Sequence, residues 1–374
     1  MWLDKQNKRT KQNHLQAHRR ESGYIPLGIL QRDLFSINNY RYFQEYKEMF
    51  DNEAKKATAM RKIGSDIIPT VVLRFDPVLF PSMFGAKVED SGGFPWIKPW
   101  KTVEEIRKMK LPPLDSGIIP LVVDAIDYFK RNKPDDFVIC TPPELAPLDQ
   151  AISMFGSEIF TLFYEDPGLI HELLDILTRN FIQVSRYFKH LLNEPQNEKV
   201  SFLGTYMPGI RVAADSIVNL SPDMITDFIN PTFELMAEEL GQVLVHYCPS
   251  PGEKYYHVIE PLINCKGVLG IDQSGGVEYL MSRDNPSRMV INTTMVADAA
   301  FVRKESSGPI ACDPTNINPI NPIVWSDIRR WLGNEYFQLS KQRRRGLILR
   351  AKVESVNEGE ELFGLWHEIQ ASST

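Results

Sequence analysis

Eight short apolar runs, rich in β-branched residues, recur along the chain and are separated by longer stretches with helical spacing. They are YIPLGIL (24–30), DIIPTVVLRFD (66–76), DDFVICTPP (135–143), KVSFLGTYM (199–207), QVLVHYC (242–248), KGVLGIDQ (266–273), RMVINTTM (288–295) and RGLILRAKV (345–353). Runs apolar on both faces belong to parallel strands covered by helices. Between them, TVEEIRKM (102–109) opens with Thr102 and carries Glu105 three residues later, a capping box. Residues 165–192 repeat apolar positions at helical spacing behind an early proline, and 221–240 start with Ser-Pro, the preferred N-cap and first helical residue. Residues 355–369 close the pattern as a helix.

Strands alternating with helices about eight times predict a (β/α)8 TIM-type barrel over residues 24–374, with residues 1–23 as an N-terminal helical arm outside it. An open doubly wound sheet is the weaker alternative, because no G-x-G-x-x-G follows any of the runs. The arm sequence from Asp4 to Arg20 is basic and polar, and reads as a solvated helix or a frayed tail.

The length of 374 residues is enough to bury a full core without staples. A net charge of -6 argues against nucleic acid as a general partner, since phosphate binding needs a basic face. The cysteines, Cys140, Cys248, Cys265 and Cys312, are too scattered for a disulfide framework and suit a reducing compartment. No apolar run reaches the length of a membrane span and no apolar segment follows Met1, so the expectation is a cytoplasmic protein without a membrane partner. A homodimer stays open.

In a barrel the chemistry gathers at the C-terminal ends of the strands. Those ends carry Arg32, Asp76, Cys140, Tyr206, His246 with Cys248, Asp272 with Gln273, Asn292, and Arg350 with Glu354. His246 and Cys248 stand two apart on one strand and so face the same side. Imidazole nitrogen and thiolate sulfur together suit zinc, which takes three protein ligands at a catalytic site. Cys312, in SGPIACDPTNINP, or Glu354 is the candidate third ligand; Cys265, at the start of its strand, is discounted. The competing reading makes His246 and Cys248 a core pair. Asp215 is a candidate to orient His246 or to cap a helix. Arg32 is a candidate anchor for a substrate carboxylate, and Tyr206 a candidate pocket wall.

Four stretches carry a resemblance: LRFDPVLFPSMFGAKVE (73–89), FYEDPGLIHELLDILT (163–178), AADSIVNLSPDMITDFINP (214–231) and LVHYC (244–248). Over about residues 60–280 the chain resembles the uroporphyrinogen decarboxylase superfamily. The resemblance implies a (β/α)8 barrel and one of two chemistries. The heme-pathway decarboxylase uses no cofactor; it holds a tetrapyrrole with arginines after strand one and an aspartate after strand two. Arg32 and Asp76 match those positions, but the second arginine and the glycine of that motif are missing from LGILQRDLF.

The second branch comprises cobalamin-linked methyltransferases of the methylcobamide:coenzyme M and O-demethylase type. It binds zinc through His-x-Cys and a distant cysteine that usually follows strand eight. Here LRAKVES has no cysteine, and Cys312 lies before it. The expectation is therefore a zinc-dependent methyltransferase working with a small methyl donor or thiol acceptor and with a methylcobamide carried by a corrinoid protein. Its metal ligands are His246, Cys248 and Cys312, its catalytic residues Asp76, Asp215 and Arg32, and its substrate-binding residues Tyr206, Gln273 and Asn292. A cofactorless decarboxylase and a non-catalytic binding protein of the same fold are the alternatives.

Overall fold

The first barrel strand, β1 (Leu27–Gln31), is apolar throughout and buried up to its last residue. It lies parallel to β8 (Leu347–Val353), the last strand in the chain, with Gly28 opposite Arg350. The structure, a computed structural model, describes residues 3, 5–19, 24–31, 40–248, 256–273, 290–294, 302–303, 323–324 and 347–372.

Six further parallel strands fill the circuit. They are β2 (Thr70–Val72), β3 (Val138–Cys140), β4 (Gly209–Ala213), β5 (Gln242–His246), β6 (Val268–Gln273) and β7 (Val290–Thr294). β2 pairs with β3; Glu144–Leu145, just past β3, pairs with β4; and the ladder runs on through β5, β6, β7 and β8 to β1. Between β1 and β2 there is no ladder, but the Asp66 amide, just ahead of β2, donates to Leu27 O at 3.0 Å. The arrangement is TIM-barrel-like, as the periodicity predicts.

Helices cover the outside, and local sequence sets their ends. The 26-residue helix Pro167–Leu192 starts with Asp166 accepting from the Leu169 amide, carries proline at its first position, and stops at Asn193 in the left-handed region. The predicted capping box forms, with the Thr102 amide donating to Glu105 Oε2 at 2.8 Å. The last helix, Val356–Ser372, buries Trp366, whose indole donates to Ile25 O at 2.9 Å and so ties the chain's end to the lead-in of β1.

Two expectations are corrected. The fourth apolar run, residues 199–207, is not a barrel strand: Lys199–Val200 and Tyr206–Met207 fold back on each other as an antiparallel pair. The barrel strand is the next segment, Gly209–Ala213, which the sequence hides behind Pro208 and a charged Arg211. Gly209 is required for β4 to start against β5, because a Cβ there would lie 1.8 Å from Gln242 O. The arm, too, is neither solvated nor frayed. Helix Lys5–Arg19 docks beside Tyr206 with His14 and His18 buried. Tyr206 precedes β4, at the strands' N-terminal ends, and so belongs to the arm's seat and not to the mouth of the barrel.

The seat fixes the protonation of both histidines. His14 Nδ1 accepts from the Tyr206 amide at 3.1 Å, so Nε2 carries the proton and donates to Asp66 O at 3.1 Å. His18 Nε2 donates to Tyr206 O at 2.7 Å. Burial pushes both imidazoles down to about 4. An undocked arm takes up protons near pH 6.5 and the docked arm only near 4, so docking is at full strength above about pH 7 and is lost as pH falls through that window, by roughly 3 kcal/mol per histidine. Amide hydrogen exchange over residues 5–19, corrected for intrinsic rates, should rise between pH 6.5 and 4. Exchange that stayed flat across that range would show that the seat accepts the charged imidazoles.

Candidate metal-binding site

β5 ends on His246, and its ladder partners are Ala213 of β4 and Asp272 of β6. The ring is oriented by backbone: Nδ1 lies 2.7 Å from Asp272 O, an atom that can only accept. Nδ1 therefore carries the proton, and the lone pair sits on Nε2. That atom is 3.3 Å from Cys248 Sγ. Two ligands of one tetrahedral zinc, at about 2.0 and 2.3 Å from the ion, stand about 3.5 Å apart.

Past the strand end, the turn is held from the β4 side. The Cys248 amide donates to Asp215 Oδ1 at 2.7 Å. Ligand atoms of Asp215, His246 and Cys248 all lie within 4.8 Å of one another, which makes a trio able to hold a metal ion. The turn that begins at Asp215 is anchored in its own right. Buried Asp149 accepts from the Ser216 amide at 3.0 Å and from the Ser216 hydroxyl at 2.8 Å. Burial raises Asp149 to about 7 against those hydrogen bonds, with the Asp215 charge adding to the rise.

The electrostatics favour a cation among these donors. Burial, with the nearby Arg211 charge, lowers His246 to about 4, so its imidazole is neutral and its lone pair available. Burial and then the Asp215 carboxylate push the Cys248 thiol up to about 12, so the sulfur ionises only when positive charge arrives. Beside this trio lies a buried ionic cluster. Arg211 Nε of β4 and Arg350 Nη2 of β8 both donate to the Asp272 carboxylate of β6. Burial alone would raise Asp272, but Arg350 and Arg211 outweigh it and hold the carboxyl well below the usual carboxylate range. Asp272 Oδ2 is 3.8 Å from His246 Nδ1, so cluster and trio share a wall.

Of the residues singled out in the sequence, the fold brings Asp215, His246 and Cys248 together. Asp76 sits at the end of β2, close enough to act on the charges of Arg74 and Lys56. The Phe202 ring joins that strand end to the centre, with Arg74 5.3 Å and Arg211 4.9 Å from its centroid. Cys265 is buried against Asn230 O, away from the trio, and Glu354 offers its amide to Glu358 at the start of the last helix. Asn292 lies beside Asp272 and Gln273 beside Thr293 in the ladder; their side chains, like Arg32 and Cys312 altogether, lie outside the described residues. Sequence reasoning missed Arg211 and Asp149 as site components, and gave Arg350 only a place at a strand end without a role. A charged residue inside an otherwise apolar strand was the signal for the two arginines.

Among solved structures, the chain is similar to a methyltransferase from Methanosarcina mazei, with a TM-score of 0.62 at 14% identity over 96% of this chain and 98% of that one. That likeness establishes the fold. No curated protein matches the sequence. Residues 40–190 match the uroporphyrinogen decarboxylase (URO-D) family, the stretch that holds β2, β3 and the long helix Pro167–Leu192. The barrel-like fold extends on both sides of that matched stretch.

Proposed function

We propose that the protein is a zinc-dependent methyltransferase that moves a methyl group between a small methylated compound or thiol and a corrinoid protein. The observation that carries this reading is the trio itself: a neutral imidazole with its lone pair on Nε2, a thiol 3.3 Å away, and a carboxylate beside them. A decarboxylase without a cofactor has no use for that set. The similarity in fold to a methyltransferase from Methanosarcina mazei supports the same branch.

In this proposal His246 Nε2, Cys248 Sγ and the Asp215 carboxylate hold the zinc, and Cys312 contributes a further sulfur from the segment before β8. The bound ion supplies a Lewis acid that keeps a substrate thiol as thiolate or polarises a methoxy oxygen. The chain's own residues do the rest. Asp272 O keeps the His246 proton on Nδ1, so the ring presents only Nε2. Asp215 fixes the Cys248 amide and with it the direction of the thiol. Burial, with the neighbouring charge of Arg211 adding to it, keeps the imidazole from taking up a competing proton. Gln273 of β6 and Asn292 of β7 are the proposed substrate-binding residues, with Asp76 and Arg32 as proposed catalytic groups. The methyl group's other station is the cobalt of a methylcobamide brought by the corrinoid protein.

The second reading, a decarboxylase acting on a carboxylated tetrapyrrole, is favoured by the URO-D match over residues 40–190 and by Asp76 at the end of β2. Chelators separate the two, since that turnover would be indifferent to them.

Elemental analysis of protein purified without chelators should find one zinc per chain. Cys248→Ser and His246→Gln should lose it, and Asp215→Asn should bind it about tenfold or more weakly. A metal-free wild type would remove the zinc reading. In stripped protein, Cys248 should react with iodoacetamide at pH 8 at least about tenfold slower than free cysteine, because burial and Asp215 hold the thiol protonated. Asp215→Asn should speed that reaction, as peptide mass spectrometry can follow; a rate unchanged by the substitution would free Asp215 of any electrostatic hold on the thiol.

A further inference from the structure

Between β1 and β2 the barrel is not closed by backbone. The two strands share no ladder, and among the described residues one main-chain hydrogen bond crosses the gap, from the Asp66 amide to Leu27 O. A barrel wall interrupted in this way leaves strand amides that need other acceptors. Side chains supply them. The Leu27 amide donates to Asp66 Oδ2 at 3.1 Å and the Ile29 amide to Ser65 Oγ at 2.9 Å. On the β2 side the Val72 amide donates to Glu53 Oε2 at 3.3 Å, from the helix Tyr46–Ile63. Glu53, Ser65 and Asp66 are all buried. Three side chains thus stand in for a missing ladder, and each bond depends on the rotamer of its own side chain.

The arm grips the same residue. Asn13 Nδ2 donates to Asp66 Oδ1 at 2.8 Å, and His14 Nε2 donates to Asp66 O at 3.1 Å. Asp66 therefore divides its polar atoms, with its amide and Oδ2 turned to β1 and its Oδ1 and carbonyl to the arm. The arm's other hold is Tyr206, in the hairpin whose Gly204 O accepts from the Ile68 amide at 2.9 Å. The segment before β2 thus lies between arm and hairpin, and Leu3 and Leu15 join Ile68 and Tyr206 in one apolar cluster. We infer that the arm is a clamp on this seam: docked, it holds Asp66 against β1, and its release lets β1 and β2 part. The effect reaches the mouth of the barrel. Glu53, which takes the Val72 amide, also accepts from Arg74 Nε at 3.3 Å, and β2 runs on through Arg74 to Asp76 while β1 runs on to Arg32. A parted seam loosens that strand end from its neighbour. The clamp goes beyond the chemistry proposed above and does not rest on it.

Hydrogen–deuterium exchange of the full-length protein at pH 7.5, read by mass spectrometry, tests the clamp. The double variant Asn13→Ala/His14→Ala removes both of the arm's bonds to Asp66. Exchange should rise at least about tenfold over residues 5–19 and equally over the seam strands, 27–31 and 70–72, while 242–246 and 268–273 keep their wild-type protection. Faster exchange in the arm over a seam that stays protected would overturn the clamp. So would a rise shared by all the strands, which is unfolding of the whole barrel. Should the variant fail to fold or keep its arm docked, the wild type decides alone in urea below its unfolding transition. There the amides of 27–31 and 70–72 should open in the same step as those of 5–19, ahead of β5 and β6. Seam amides that opened only together with β5 and β6 would make the arm a passenger on a barrel closed without it.

Discussion

One buried carboxylate carries the inner half of this barrel. Asp272 ties Arg211 of β4 and Arg350 of β8 through its two oxygens, and its carbonyl sets the tautomer of His246 on β5. Arginine inside a strand is tolerated only when its charge is met, and here one residue of β6 meets two of them. Removing it would leave both cations buried and opposed, a class of change that costs about 3–5 kcal/mol for a single broken pair. Through Arg211 the constraint reaches Phe202 and then Arg74 at the end of β2. The side chains that order the strands are thus the same ones that aim the histidine.

The two ends of the barrel use buried histidine in opposite ways. His14 and His246 are both pushed down to about 4, chiefly by burial, and so neither acts as a charge at neutral pH. They differ in what their second nitrogen does. Both nitrogens of His14 are spent on backbone, on the Tyr206 amide and Asp66 O, which makes it a fastener for the arm. His246 spends only Nδ1 on backbone and turns Nε2 toward a thiol and a carboxylate. A depressed pKa marks both; only the unspent lone pair marks chemistry. The division agrees with the general asymmetry of such barrels, in which one face stabilises and the other reacts.

Much of this was legible because the physics is local. The apolar runs around Leu27, Val71, Val138, Leu244, Ile271, Ile291 and Leu349 all fall in barrel strands, and the His246–Cys248 spacing alone implies a shared face. What escaped was what depends on partners far away in sequence. β4 was misplaced because Arg211 reads as a surface residue until Asp272, 61 positions on, neutralises it. The run 199–207 looks like a strand because its apolar residues do bury, Val200 and Tyr206 among them, but as a hairpin against the arm. The arm looked solvated because its lysines and arginines dominate the composition, while two histidines and Ala17 do the docking. Asp149 gave no signal, since its role passes through Ser216 to the turn at Asp215.

The cluster and the trio also solve a problem for each other. Gathering a lone pair, a thiol and a carboxylate at one point creates a place where a cation is welcome and a proton is the unwanted competitor. Burial and then the charge of Arg211 lower His246 and so disfavour that proton, yet the charge would repel a metal ion as well if nothing screened it. Asp272 stands between them and absorbs both guanidinium groups on its far side, so the donors see a neutral carbonyl and a screened carboxylate rather than bare positive charge. The result is a polarised wall, with donors for a cation on the side of β5 and the paired guanidinium groups of β4 and β8 on the far side of Asp272.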